Sequence, residues 1–248
     1  MKIVVIGGVA AGTKAAAKLK REQPDAEVVL YSKGADISYA GCGLPYYVGG
    51  SIPTREELIV NTPAKYAGLT RVAVHTGQEA IALDPARKTV TLRAAADNTT
   101  RTEGYDKLIL AVGAVPFVPD VAGKDLSGVF TMRAPDDAIA LRSWAEANGC
   151  RRAVVVGGGF IGLETAENLQ ARGLDVTVMD MADQLMPNIF DPEMADYIRR
   201  QLIQKGMRVL TGTALRGLEG ETRVTGVQTD AGALPADVVV LAIGIRPA

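Results

Sequence analysis

A pattern that occurs twice is the strongest constraint on what this chain can fold into. Lys2-Ile-Val-Val-Ile-Gly-Gly-Val-Ala-Ala-Gly12 opens the sequence, and Arg152-Ala-Val-Val-Val-Gly-Gly-Gly-Phe-Ile-Gly162 repeats it 150 positions later. In each copy a β-branched run enters a glycine turn and continues into a helical stretch, Thr13 to Glu22 or Leu163 to Arg172. A second strand follows, Glu27 to Tyr31 or Asp175 to Met179. Strand, glycine turn, helix and strand within about thirty residues is the βαβ unit of a dinucleotide fold. Its repetition predicts an α/β chain with two Rossmann-like dinucleotide-binding domains. A further echo agrees: the buried-strand pattern Lys107-Leu-Ile-Leu-Ala-Val-Gly113 returns as Val238-Val-Val-Leu-Ala-Ile-Gly244. Between the copies, Arg71 to Val74 and Thr89 to Arg93 read as short strands and Ala95 to Gly104 as a polar hairpin loop. Val115 to Gly128 reads as an interdomain crossing.

The spacing of the glycines gives each turn its chemistry. The first permits the bend, the second lets backbone approach a pyrophosphate, and the third lets the helix pack closely on the strand. Free N–H groups and the helix dipole then face the phosphates. Gly157, Gly159 and Gly162 meet all three demands. Asp180 ends the following strand, where a carboxylate accepts both ribose hydroxyls and repels a 2′-phosphate, which predicts NADH over NADPH. The first copy departs from this plan. Gly7 and Gly12 frame it, but Val9 holds the middle position, with Gly8 before it to relieve crowding, and Ser32 replaces the ribose acid. A decayed, purely structural βαβ unit is the alternative reading of that copy.

The 248 residues suffice for one large domain or two modest ones. A formal net charge of -1 gives no global electrostatic reason to expect nucleic acid. No apolar run reaches the roughly eighteen residues that span a bilayer, and the N-terminus enters a strand without a signal-peptide pattern. A soluble, cytoplasmic protein with no membrane or nucleic-acid partner is therefore expected. Cys42 and Cys150 make neither a disulfide framework nor metal-ligand spacing, and with His75 the single histidine no metal centre is expected. His75 reads as structural, and Cys150, beside Arg151 and Arg152, as incidental.

Cys42 is different. It lies in Ile37-Ser-Tyr-Ala-Gly-Cys-Gly-Leu-Pro-Tyr-Tyr-Val-Gly-Gly50, so a glycine-flanked thiol follows the first phosphate-type turn and suggests sulfur chemistry beside a nucleotide. Gly41 and Gly43 keep steric bulk low, and Leu44 to Val48 is a candidate helix whose positive end favours thiolate. The position five residues on is Tyr47, so no internal dithiol forms there. A lone thiolate works through a mixed disulfide, a persulfide or a sulfenic acid. Lys14, Lys18 and Arg21 fall on one face of the preceding helix, where they can hold phosphates or simply form a solvated basic face.

Taken in order, Gly7-Gly-Val-Ala-Ala-Gly12, Ser38-Tyr-Ala-Gly-Cys-Gly-Leu-Pro-Tyr-Tyr47, Tyr105-Asp-Lys-Leu-Ile-Leu-Ala-Val-Gly113 and Gly157-Gly-Gly-Phe-Ile-Gly-Leu-Glu164 resemble the FAD-dependent pyridine nucleotide-disulfide oxidoreductases. The nearest likeness is to their single-cysteine branch, which holds coenzyme A-disulfide reductases, NADH oxidases, NADH peroxidases and persulfide reductases. The resemblance runs along the whole chain and implies an FAD-binding domain over residues 1–116 and an NADH-binding domain over 117–248. It also implies a truncated chain. Members of the family return to the FAD domain after the strand matching Val238 to Gly244 and add a C-terminal dimerisation domain, absent from this sequence, that makes the full-length protein a homodimer.

The resemblance makes Cys42 the catalytic residue. It places FAD on Gly7, Gly8, Val9, Ala10, Ala11 and Gly12, on Ser32 and Lys33, on the backbone of Ala80, on Ala111, Val112 and Gly113, and near Arg133. It places NADH on Gly157, Gly159, Ile161, Gly162 and Asp180, with Phe160 gating the nicotinamide face of the flavin and Glu164 positioning the nicotinamide. Gly244 adds a cofactor contact. Lys18, Arg21 and Ser38 match positions at which coenzyme A reductases of the family contact the substrate; Lys14, on the same helical face, and Asn61 are further candidate substrate contacts read from the residues. Peroxidase members and some oxidases carry a histidine in the first glycine loop, where this chain has Val9, Ala10 and Ala11, and they tend to lack the Leu44 to Tyr47 continuation. Both departures favour coenzyme A disulfide or persulfide as the small-molecule acceptor of electrons passed from NADH through FAD. Two alternatives stay open: an NADH oxidase in which Cys42 cycles through sulfenic acid, and a non-catalytic nucleotide-binding fragment or redox sensor.

Overall fold

The computed structural model describes residues 1–248. Its first half holds strands β1 (Lys2–Ile6), β2 (Glu27–Tyr31), β3 (Ala73–His75), β4 (Gln78–Asp84), β5 (Thr89–Ala94), β6 (Thr100–Gly104) and β7 (Lys107–Leu110). These alternate with helices α1 (Ala10–Glu22), α2 (Leu44–Gly49), α3 (Arg55–Leu58) and α4 (Pro63–Thr70). The second half holds β8 (Ala114–Pro116), β9 (Val129–Phe130), β10 (Arg152–Val156), β11 (Asp175–Met179), β12 (Arg208–Leu210), β13 (Leu215–Glu219), β14 (Gly226–Thr229), β15 (Gly232–Pro235), β16 (Val238–Leu241) and β17 (Ile245–Pro247). Its helices are α5 (Pro135–Ala147), α6 (Phe160–Ala171) and α7 (Pro192–Gln204). By packing, Met1–Ala40, Ile59–Gly113 and Pro247–Ala248 form one compact unit, and Gly41–Leu58 with Ala114–Arg246 form another.

In the first unit four parallel strands run in the order β3-β2-β1-β7. Side chains of a strand alternate between faces, so both faces of β1 are apolar for different reasons. Ile3 and Val5 pack with Ala16 of α1 and Tyr66 of α4. Val4 and Ile6 pack with Val90 and Leu92 of the antiparallel sheet β4-β5-β6. The polar stretch Ala95 to Gly104 is only partly the loop its composition predicts. Thr100–Gly104 is strand β6, paired antiparallel with β5 from Thr89↔Gly104 to Arg93↔Thr100, because its threonines suit an exposed pleat beside β5. Arg71 likewise leaves the predicted strand: it caps α4 in the left-handed region, at φ 59°, and β3 begins two residues later.

The second unit repeats the plan. Its parallel sheet has the order β12-β11-β10-β16-β9. Val154 and Val156 of β10 pack with Leu218, Val227 and Leu234 from the antiparallel sheet β13-β14-β15, while α6 lies against β10 and β11. The chain's internal echo therefore extends to the third layer, since each parallel sheet carries helices on one face and a three-stranded sheet on the other.

Asp237 fastens the start of β16 to the start of β10. Its Oδ2 accepts the backbone N–H groups of Arg151 at 3.0 Å and Arg152 at 2.9 Å, and its Oδ1 accepts the Arg152 guanidinium at 2.7 Å. The Arg152 hydrogen bond, joined by these two amides, holds the Asp237 carboxyl at about 2 despite partial burial. A carboxyl that is more acidic when folded contributes fully above its unfolded pKa of about 3.9, and that contribution is lost as pH falls toward the folded value. Asp237→Asn should lower unfolding free energy by about 1–2 kcal/mol at pH 7, a figure reduced for solvent screening of a half-exposed pair. Urea unfolding at stepped pH should show the difference from wild type shrinking between pH 4 and pH 2.

Candidate functional site

The two glycine loops are built by the same contacts. Gly7 N donates to Tyr31 O at 2.8 Å, and Gly157 N donates to Met179 O at 2.7 Å. Ala111 N donates to Ile6 O at 2.7 Å, and Ala242 N donates to Val156 O at 2.8 Å. Gly7 (φ 109°) and Gly157 (φ 111°) adopt backbone that side chains disfavour, and a Cβ at either would strike the carbonyl of Ala111 or Ala242. A Cβ at Gly12 or Gly162 would strike the carbonyl oxygen of Gly7 or Gly157, so each helix rests directly on its own turn.

What the loops leave open matters as much. The N-terminus of α1 has no side-chain cap and no acidic residue in its first turn, and the same is true of α6. By contrast Thr62 caps α4, Asp137 accepts the Ala134 N–H at the start of α5, and Asp191 caps α7. The first amides of a helix have no intrahelical acceptor. At α1 and α6, the repeated helices, side chains leave these donors to an anion, which is the fit a dinucleotide pyrophosphate requires. A Cβ on Gly159 would meet no protein atom within 4 Å, so the room beside it is not used by the fold.

The predicted ribose carboxylate is held in place. Asp180 Oδ2 accepts Gly158 N at 2.7 Å and Oδ1 accepts Ala182 N at 2.8 Å, which fixes the group at the end of β11 with lone pairs to spare. Phe160 and Ile161 open α6 and are 53% and 45% exposed, and Glu164 lies one turn on. Gly244 (φ 114°) accepts Phe117 N at 2.9 Å.

In the first loop, Val9 takes the N-cap position and Ala10, Ala11 and Gly12 form the first helical turn. Gly8 serves the fold itself: a Cβ there would lie 2.7 Å from Ile37 Cγ2 and 2.8 Å from Ser32 Cβ. Ser32 thus sits directly beneath the loop, while Lys33 is 2.8 Å from Glu79. Ala80 lies on β4, the edge strand whose Gln78 N donates to Ser32 O at 2.9 Å. Ala111 touches the loop through Gly7, followed by Val112 and by Gly113 at φ 76°. Arg133 belongs to the second unit, where its Nε donates to Ala114 O at 2.9 Å. His75 stacks on Tyr31 with ring centroids 5.1 Å apart.

Cys42 is exposed, in a 3-10 turn (Gly41–Gly43) leading into α2. That short helix is clamped within the second unit. Arg142 of α5 lies 4.9 Å over the Tyr47 ring and donates to the carbonyls of Tyr47 and Pro53, each at 3.2 Å. A Cβ on Gly49 would strike the Asn168 side chain of α6. Arg142 escaped sequence reasoning because 95 residues separate it from Tyr47 and a single arginine in a helix carries no motif.

Of the predicted substrate contacts, Ser38 and Asn61 come together. Ser38, at φ 51°, donates N–H to Gly8 O at 3.1 Å, and its Oγ accepts Asn61 Nδ2 at 3.3 Å. The cations of α1 are less uniform. Lys18 pairs with Glu22 at 2.7 Å, Lys14 is exposed, and Arg21 borders a cleft of about 430 Å³ with Lys20 and Arg71.

Known proteins resemble this chain in sequence and fold. The sequence profile of the family described as pyridine nucleotide-disulphide oxidoreductase matches residues 1–248. The chain is 36% identical over 247 residues to an NADH oxidase of Methanocaldococcus jannaschii, covering 100% of this chain and 55% of that protein. It is 39% identical over 245 residues to the NAD(P)H sulfur oxidoreductase (CoA-dependent) of Pyrococcus abyssi, covering 99% and 54%. The solved structure of an NAD-dependent persulfide reductase from A. fulgidus superposes with a TM-score of 0.96 at 37% identity, over 100% of this chain and 46% of that one. The chain thus spans about half the length of the curated relatives it matches. With one glycine-loop plan built twice and a family profile covering every residue, the chain belongs to the pyridine nucleotide-disulphide oxidoreductase family.

Proposed function

We propose that the protein transfers two electrons from NADH, with FAD as its flavin, to a sulfur acceptor, coenzyme A disulfide or a coenzyme A persulfide, at Cys42. The observation that carries this reading is a solitary exposed thiol, in the turn that leads into the clamped helix α2, in a chain whose two repeated helices leave their N-terminal amides to phosphates. The relatives named above support the class of reaction.

The first loop, with Ala10, Ala11 and Gly12 in the opening turn of α1 and Ser32 beneath, suits the FAD pyrophosphate and ribose. The second, with Gly157, Gly159, Gly162 and Asp180, suits NADH. Bound FAD supplies two-electron exchange between a reduced nicotinamide and sulfur. The Cys42 thiolate attacks one sulfur of the acceptor disulfide, forming a mixed disulfide and releasing one thiolate. Two electrons and a proton then release the second thiol and restore the Cys42 thiolate, so one NADH and one further proton yield two thiols. Gly41, where a Cβ would meet no protein atom within 4 Å, leaves room for a large disulfide to reach the sulfur. Lys14, Arg21, Ser38 and Asn61 are polar contacts suited to the phosphates and amides of coenzyme A.

Anaerobic addition of NADH should bleach the flavin absorbance of both wild type and Cys42→Ser. Coenzyme A disulfide should restore the colour rapidly in wild type and at least about a hundredfold more slowly in the variant. Failure of every sulfur acceptor to restore it, with rapid recovery on admitting oxygen, would replace this reading by an NADH oxidase.

Asp180 supplies the second test. Removing a carboxylate that accepts ribose hydroxyls forfeits about 1.5–3 kcal/mol, so Asp180→Ala should raise KM for NADH by about 10–100-fold while leaving KM for NADPH nearly unchanged. Steady-state kinetics with both nucleotides measure the shift, and an equal rise for both would remove the role assigned to Asp180.

A further inference from the structure

The parallel strands of the second unit have two ends, and the glycine loop lies at one of them. At the other, where β10, β11 and β16 begin, lies a cleft of about 530 Å³. The five residues of β10 separate this end from Gly157 by about 16 Å, so the cleft is distinct from the dinucleotide site.

Its charges are unequally committed. Asp237 is saturated by Arg152 and two backbone amides. Arg151 and Arg223 also line the cleft, both exposed, and neither guanidinium has an acidic or hydrogen-bonding partner. Two free guanidinium forks over one concavity suit a phosphate group, which each can grip through paired N–H donors. The remaining lining is not that of a bare ion site. Trp144 offers an aromatic wall, packed edge-on against Phe130 at 6.2 Å, while Asp175 and Thr225 supply groups that accept or donate to hydroxyls. The volume falls within the range of sites for small organic molecules.

We propose that this cleft binds a small organic phosphate, its phosphate held by Arg151 and Arg223 and its organic part lying against Trp144. Such a ligand would occupy the second unit independently of NADH, which makes the cleft a place where a metabolite can act on the protein without competing for the nucleotide site.

The cleft contains its own reporter. Cys150 lines it, with its Sγ 3.7 Å from Asp237 O and 3.9 Å from Trp144 O. Burial, reinforced by the Asp237 charge, pushes this thiol upward, so its alkylation is slow enough to time. Inorganic pyrophosphate serves as the probe and neutral iodoacetamide as the reagent, with mass spectrometry following the Cys150 peptide of the whole chain. Millimolar pyrophosphate should slow Cys150 alkylation at least about threefold relative to sodium chloride of equal ionic strength, which corrects for screening. The double variant Arg151→Gln/Arg223→Gln should abolish that protection. Both arginines are exposed and unpaired, so the variant retains its fold, and circular dichroism checks this. Alkylation unchanged by pyrophosphate, or protection that persists in the double variant, would overturn the assignment.

Discussion

Each βαβ unit depends on one close approach, a helix whose third glycine rests on the carbonyl of its own turn. At Gly12 and Gly162 there is no room for a methyl group, because the oxygens of Gly7 and Gly157 already occupy that volume. The approach sets each helix tightly on the turn that ends β1 or β10, and the first amides of α1 and α6 lie at that turn. It also explains why neither helix carries a side-chain cap when others in the chain do. A serine or aspartate there would satisfy the donors internally and take the place of an anion.

The same economy extends to the thiol. Cys42 gains nothing from a partner cysteine, since Tyr47 stands at the position five residues on. Its placement rests on the packing of α2, where Gly49 meets Asn168 of α6 and Arg142 of α5 holds two carbonyls and the face of Tyr47. Residues far apart in sequence therefore fix a thiol that its own short helix does not. A lone sulfur so held is suited to exchange with a soluble disulfide, because its partner must come from outside and leave again.

Much of this was legible in the residues. The echo between Lys2–Gly12 and Arg152–Gly162 predicted two parallel sheets with a glycine loop on each, and both are present with matching hydrogen bonds. Local rules succeeded because the βαβ turn is a local structure. They did less well where a partner decides. Thr100–Gly104 is strand because β5 lies beside it, and Arg71 is a cap because α4 ends there. Gly8 looked like relief for Val9, yet its freedom is required by Ser32 and Ile37. Arg142 and the cleft beside Cys150 had no sequence signature, because each is assembled from segments that meet only in three dimensions. The three cations of α1 fell on one helical face as spacing requires, but Lys18 is drawn to Glu22, one turn away, which periodicity alone does not weigh.

If the second loop keeps its space for a ligand and not for itself, Gly159 is the residue that isolates the effect, since a Cβ there meets no protein atom within 4 Å and its φ of -83° suits any residue. The decisive measurement is the pair of unfolding midpoint and NADH affinity for Gly159→Ala, the latter by quenching or enhancement of nicotinamide fluorescence. Unfolding free energy should fall by no more than the roughly 1 kcal/mol that separates glycine from alanine at an N-cap, while NADH binding weakens at least about tenfold. An affinity equal to wild type would contradict the account.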